Sequence, residues 1–211
     1  MAYNTDMPWG LRPLYEADAR KTAMLFPITN NYGTVLYVND PALAVAAGTI
    51  ERGSTTGQIL GPILGLYKQD VPLSLRVERL VPQLYMAATP GAANTWFALV
   101  AVDPSLFFVM QEDSDTSSLA WADNFDMVDL IYTHGGSTIT GISKAEIDSN
   151  TVDSTATRPL QLVRPWVEYY DIDAKAYNAV TAATTTAGQF GKWIVRIACH
   201  QFRNTTASIP L

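Results

Sequence analysis

Residues 192–200 read KWIVRIACH, and the spacing of their apolar side chains decides the fold class. Every second residue is apolar, beginning with Trp193, and the positions between are mostly polar. This period of two is typical of a β-strand with one buried face and one more polar face. The buried face is expected to carry Trp193, Val195, Ile197 and Cys199, and the other face Lys192, Ile194, Arg196 and His200.

Short apolar runs bounded by turn residues recur along the chain, at residues 34–38, 63–67, 73–81, 96–102 and 106–111. The run 96–102 is apolar at every position, which is typical of a strand buried on both faces. Asp103 and Pro104 provide a turn between it and the run 106–111. These two strands are expected to form the centre of the core.

The predicted fold is mainly β, because the 211 residues are 48% hydrophobic and broken into many short runs. We expect a barrel or sandwich of short antiparallel strands, with an N-terminal arm and one or two short helices. The helices are predicted over residues 119–128, capped by Asp115 or Thr116, and over residues 170–180. Residues 1–13 form the arm, and residues 14–211 form a single β-rich domain.

Composition argues against several classes of partner. The formal net charge is −6, only 16% of residues are charged, and Lys and Arg form no cluster, so no nucleic-acid partner is expected. No run approaches the roughly 18 apolar residues of a membrane span, so no membrane partner is expected. Residues 1–10 lack the basic start and apolar run of a secretory signal, which indicates synthesis in the cytoplasm. Cys199 is the only cysteine and is predicted to be a buried, inert thiol.

One motif has a possible catalytic interpretation. The segment His134-Gly135-Gly136-Ser137 is similar to the one that builds an oxyanion hole in some esterases. The chain lacks the Gly-x-Ser-x-Gly elbow that would carry the nucleophile, so a glycine turn is the preferred interpretation. No catalytic residue is expected, and the chain is predicted not to be an enzyme.

Carboxylates cluster at two places, namely Glu112, Asp113 and Asp115, and Asp171 and Asp173. Neither place has the ladder of oxygen ligands and the bend glycine of a calcium loop. Both are predicted to be solvated loops, and no metal site or cofactor is expected.

Aromatic residues leave two interpretations open. The side chains concerned are Trp9, Trp121, Trp166, Tyr169 and Tyr170. They could form a stacking platform for sugars, or they could pack in the core and at subunit interfaces, where a large apolar body with one polar tip is favoured.

The N-terminal arm combines the residue types that dominate interface energetics. It offers an aromatic anchor, apolar area and a guanidinium in Trp9, Leu11, Arg12 and Tyr15. Pro8 and Pro13 stiffen it, which lowers the entropy lost on docking. These four residues are the candidates for contact with a capsid or with a neighbouring subunit.

Several segments resemble, in the same order, small structural proteins from tailed-phage genomes. They are residues 8–13 (PWGLRP), 39–42 (NDPA), 61–65 (GPILG), 109–113 (VMQED), 192–197 (KWIVRI) and 200–201 (HQ). The resemblance runs nearly from end to end, except for residues 67–86. It implies a head decoration or cement protein that binds the major capsid protein on the outside of the virion, after synthesis in the host bacterial cytoplasm. It also implies self-association, as a homotrimer.

Two other classes of function remain open. A receptor-binding or glycan-binding protein of the virion surface would need an exposed aromatic groove. An esterase-like enzyme would need a base beside a nucleophile such as Ser137.

Overall fold

The computed structural model of the chain describes residues 6–70, 79–90, 95–155, 157–166, 170–171, 176–177 and 190–203. Its elements in chain order are β1 Arg12–Pro13, α1 Glu16–Lys21, β2 Ala23–Pro27, β3 Leu36–Tyr37, β4 Pro41–Ala44, β5 Ile50–Arg52, β6 Gly61–Asp70, β7 Arg79–Gln83, β8 Tyr85–Met86, β9 Trp96–Ala101, β10 Phe107–Gln111, a 3-10 turn Trp121–Asp123, β11 Met127–Ile131, β12 Glu146–Asp153, β13 Leu160–Pro165, β14 Tyr170–Asp171, β15 Ala176–Tyr177 and β16 Lys192–Ile197. The predicted mainly β, antiparallel fold is confirmed, with a sandwich-like arrangement.

Most strands belong to two large sheets that follow the order of the chain, while β3 and β8, and β14 and β15, form two-stranded sheets of their own. The C-terminal sheet has the order β1-β10-β16-β13-β11-β12, and the N-terminal sheet has the order β2-β9-β6-β4-β5, with β7 also paired to β6. β1 is the exception, since it comes from the start of the sequence but lies at the edge of the C-terminal sheet. Each sheet has its own cluster of buried apolar side chains.

The strand predicted from the period of two is β16, which lies between β10 and β13. Trp193, Val195 and Ile197 are buried as predicted, and Ile194 on the opposite face is buried as well. The predicted faces were wrong for Cys199 and His200, because the strand ends at Ile197. Cys199 is half-buried, with its thiol donating to the Arg158 carbonyl at 3.1 Å, and His200 is buried.

The two apolar runs joined by Asp103 and Pro104 are β9 and β10, as predicted. They do not form one core centre, because β9 pairs with β2 and β6 in the N-terminal sheet and β10 pairs with β1 and β16 in the C-terminal sheet. The turn carries the chain from one sheet to the other. β9 is also less buried than expected of a strand covered on both faces, since Trp96, Phe97 and Leu99 are half-buried.

Both predicted helices are wrong wherever the structure describes them. In 119–128 the chain forms the 3-10 turn and then the start of β11, and Phe125 between them has a φ of +74°, a left-handed conformation that interrupts a helix. In 170–180 the described residues form the strand pair β14 and β15, and the others lie outside the described residues. A short helix that was not predicted, α1, follows β1. No helix in the described part of the chain is long and apolar enough to cross a membrane.

Candidate functional site

The N-terminal segment, residues 6–13, ends in β1, an edge strand of the C-terminal sheet. Arg12 pairs with Val109, so strands begin within the expected arm and not beyond Pro13. Leu11 is fully buried in the same apolar cluster as Phe108 and Trp193. The predicted arm therefore docks on its own chain.

Asn39 holds the segment in place from the N-terminal half. The Leu11 N–H donates to the Asn39 carbonyl at 2.9 Å, and the Asn39 side-chain amide donates to the Trp9 carbonyl at 3.1 Å. Between them Gly10 has a φ of +74°, where a Cβ atom would lie 2.5 Å from the Asn39 carbonyl oxygen and 2.6 Å from the Ser143 Cβ. Only glycine allows this close passage of the segment.

The Trp9 ring contacts two cationic side chains and a second tryptophan. Its indole N–H donates to the Val109 carbonyl at 3.2 Å, and its ring meets the Trp166 ring edge to face at 6.0 Å. The Lys192 ammonium lies 4.4 Å from the ring centroid and the Arg12 guanidinium 5.4 Å from it, both within cation–π range.

A cleft of about 390 Å³ opens beside this cluster. Its lining consists of Trp9, Arg12, Pro13, Leu14, Glu16, Arg20, Val38, Asn39, Leu64, Val109, Ile142 and Trp166. Eight of the twelve lining residues are apolar or aromatic, and the charged ones are two arginines and one glutamate. A cleft with this lining suits an anionic ligand with an apolar body.

The four predicted contact residues differ in accessibility. Leu11 is fully buried within this chain, so it is not available to another molecule. Trp9 is half-buried at the cleft, whereas Arg12 and Tyr15 are exposed, Tyr15 to 65%. The local sequence of a short apolar segment is the same whether it docks on another molecule or packs in its own core. The prediction that Leu11 contacts a capsid or a neighbouring subunit was therefore wrong.

The site also contains residues that the sequence did not single out. Lys192 and Asn39 act on Trp9 from distant parts of the chain, and Arg20 comes from the helix α1. Of the aromatic residues considered as a sugar platform, the structure brings Trp9 and Trp166 together. The Trp121 side chain is 38% exposed on the 3-10 turn, Tyr169 lies outside the described residues, and the Tyr170 side chain is not described.

The esterase-like motif adopts the turn that was predicted. Gly135 has a φ of +66°, and Gly136 packs where a Cβ would collide with the Tyr37 ring. His134 Nδ1 lies 2.8 Å from a carboxylate oxygen of the buried Glu146. Among the described contacts, Ser137 Oγ accepts from the Thr140 N–H at 3.2 Å and none joins it to His134.

In the first of the two carboxylate clusters, two of the three side chains are buried and not solvated as predicted, while in the second the Asp171 side chain and Asp173 lie outside the described residues. Glu112 is fully buried and accepts hydrogen bonds from the Leu119 N–H at 2.6 Å and the Gly191 N–H at 2.8 Å. Asp113 is 8% exposed and accepts from Ser149, while Asp115 is exposed as predicted. The sequence could not show this, because the donors Gly191 and Ser149 come from distant segments. Within the described part of the chain, no group of three or more His, Cys, Asp or Glu side chains could hold a metal ion.

Comparisons with family models, with curated proteins and with solved structures find no match to this chain. The segments that carry the phage resemblance nevertheless lie against one another. β1 pairs with β10, β10 pairs with β16, Asn39 holds the N-terminal segment, and Pro41 pairs with Pro62.

The buried acids predict an unusual pH dependence of stability. Burial raises the pKa of Glu112 to about 7 and that of Asp40 to about 6, from 4.5 and 3.8. At a pH between its unfolded and its folded pKa, each group is protonated in the folded chain and ionised in the unfolded chain. The folded chain then binds more protons, so the free energy of unfolding falls as pH rises. Each group contributes on the order of 3 kcal/mol that is fully present below about pH 4 and lost as pH rises through its folded pKa.

Urea unfolding at about pH 5 and about pH 8 measures this effect. Glu112→Gln should flatten the pH dependence and lower stability at acid pH, because the amide NH₂ would face one of the two backbone donors. Glu16→Gln, at an exposed position, is the matched control and should leave the pH dependence unchanged. An unaltered pH slope in Glu112→Gln would contradict the assignment.

Proposed function

We propose that this chain is a structural protein of a bacteriophage virion, which binds the major capsid protein on the outside of the shell as a decoration or cement protein and self-associates as a homotrimer. The observation that carries the proposal is the edge of the C-terminal sheet at β1. There Arg12 and Tyr15 stand exposed beside a cleft lined by Trp9 and Trp166. Arg, Tyr and Trp are the residues that most often dominate protein interfaces.

Exposed apolar side chains support self-association. Met24 and Leu25 are neighbours on the edge strand β2, and they are 53% and 44% exposed. Because consecutive side chains of a strand point to opposite faces, neither face of this edge is fully covered. An apolar edge strand of this kind is a template for pairing with another chain. The low share of charged residues, 16%, also suits a surface covered by neighbours.

The receptor-binding or glycan-binding alternative rests on one observation, the pair formed by Trp9 and Trp166 at the cleft. Sugars stack on exposed ring faces, however, and the Trp9 ring already has Lys192 and Arg12 over it. The decoration function is therefore favoured.

The test uses shells assembled from the major capsid protein encoded with this chain. The purified protein should bind them saturably in a sedimentation assay and raise their disruption temperature, and light scattering should give the mass of three chains. Tyr15→Ala should weaken shell binding by about tenfold, since it removes an exposed aromatic anchor.

Phe125→Ala is the matched control. Phe125 is also an exposed aromatic residue, 69% accessible, but it follows the 3-10 turn and does not line the cleft. It should leave shell binding unchanged. A protein that fails to bind shells, or that stays monomeric both in solution and on the particle, would contradict the decoration function or the trimer respectively.

A further inference from the structure

The cleft beside Trp9 has an uncompensated positive charge. Arg20 is neutralised by Glu16, whose carboxylate accepts from its guanidinium at 2.7 Å. Arg12 has no carboxylate partner among the described residues, although it lies on a chain with a net charge of −6. An exposed, unpaired guanidinium at the mouth of a cleft is a ready partner for a carboxylate.

The rest of the cleft favours an apolar body over a sugar. The ring of Trp9 is crowded by the edge-to-face contact with Trp166 and by the two cations, so little of its face remains for stacking. The lining also contains the aliphatic side chains of Leu64 and Ile142. Aliphatic walls contribute by burying apolar side chains, which a peptide supplies and most sugars do not.

We propose that this cleft binds an acidic segment of the major capsid protein, with a carboxylate on Arg12 and a neighbouring apolar side chain against Trp166 and the aliphatic residues of the lining. This inference rests on the proposed decoration function and names the chemistry of its partner. Charge complementarity supplies the selectivity, because the acidic remainder of the chain repels the same segment elsewhere.

The first experiment measures the affinity of the full chain for undecorated shells by sedimentation. Arg12→Glu should weaken binding by about tenfold or more, and Arg12→Gln by less, because it keeps part of the side chain without the charge. Arg203→Glu makes the same charge reversal at another exposed arginine and should bind as the unaltered protein does. Binding should weaken as salt is raised, and less steeply for Arg12→Gln. Circular dichroism checks that each variant is folded.

The second experiment needs no shell. Overlapping peptides of the major capsid protein are titrated onto the full chain by calorimetry, alongside an acidic oligosaccharide. We expect binding by a peptide that has Asp or Glu next to an apolar residue. Binding should be lost when the acidic residues of that peptide are replaced by their amides, and also when the protein carries Trp166→Ala.

The outcomes separate the two proposals. If the unaltered protein binds shells but Arg12→Glu binds equally well, the cleft inference is overturned and the decoration function stands. If shells are not bound, the decoration function fails, and with it the capsid protein as the partner. Binding of the acidic oligosaccharide with no binding of any peptide would replace the peptide by an acidic sugar. Absence of binding by peptides and oligosaccharide alike overturns the cleft as a ligand site.

Discussion

A chain that begins at Pro13 is expected to be unfolded under conditions where the full chain is folded. The truncation removes Leu11, whose loss from the core alone is worth about 2–5 kcal/mol. It also removes the pairing of Arg12 with Val109 and the Trp9 hydrogen bond to the Val109 carbonyl. These losses are comparable with the whole stability of a domain, about 5–15 kcal/mol.

Circular dichroism and thermal unfolding of the two chains measure this directly. The control is a chain that begins at Asp6, which keeps every contact described above and should unfold like the full chain. The sequence alone leads to the opposite expectation, a folded protein that has lost only its capsid anchor. A cooperative unfolding transition near that of the full chain would show that residues 6–12 add little to the core.

Trp193→Ala is expected to lower the free energy of unfolding by about 3–5 kcal/mol. Trp193 is fully buried in the C-terminal sheet, where it lies opposite Met110 on β10 and Pro165 on β13. Its truncation leaves a cavity in a cluster that includes Leu11 and Phe108. Urea unfolding of the purified variant gives the change directly.

Two further variants at β16 make this prediction specific. Arg196→Ala removes an exposed side chain from the same strand and should cost less than about 0.5 kcal/mol. Trp193→Phe should cost less than Trp193→Ala, because it refills much of the space and removes an indole N–H that has no acceptor among the described residues. Equal, small effects at Trp193 and Arg196 would mean that the faces of the strand are misassigned.

The strands could be predicted where the signal is local. β16 was recognised from its period of two, and β9 and β10 were recognised from apolar runs between turn residues. Which sheet each strand joins could not be predicted, since β10 pairs with strands from opposite ends of the sequence. The burial of Glu112 could not be predicted for the same reason, because one of its two backbone donors is Gly191, which is distant in sequence.

The candidate site was predicted in part. Trp9 and Arg12 were singled out because their residue types suit an interface, and both line the cleft. Lys192 was assigned only to a strand, and no local pattern indicates that its ammonium lies over the ring of Trp9. β1 forms part of a sheet only because β10 pairs with it, and β10 is distant in sequence. The sequence of residues 1–13 alone therefore does not distinguish an arm from a core strand.

The position of β1 sets the order in which this protein can be completed during synthesis. All strands of the N-terminal sheet lie between residues 23 and 101, so that sheet can assemble while the ribosome is still translating the rest. The C-terminal sheet is complete only after residue 197 has been translated, although its edge strand β1 precedes every strand of the N-terminal sheet in the sequence. β1 therefore has no strand partner until residues 107–111 have been translated, and its pairing with β10 across this sequence separation is the long-range step that high contact order makes slow.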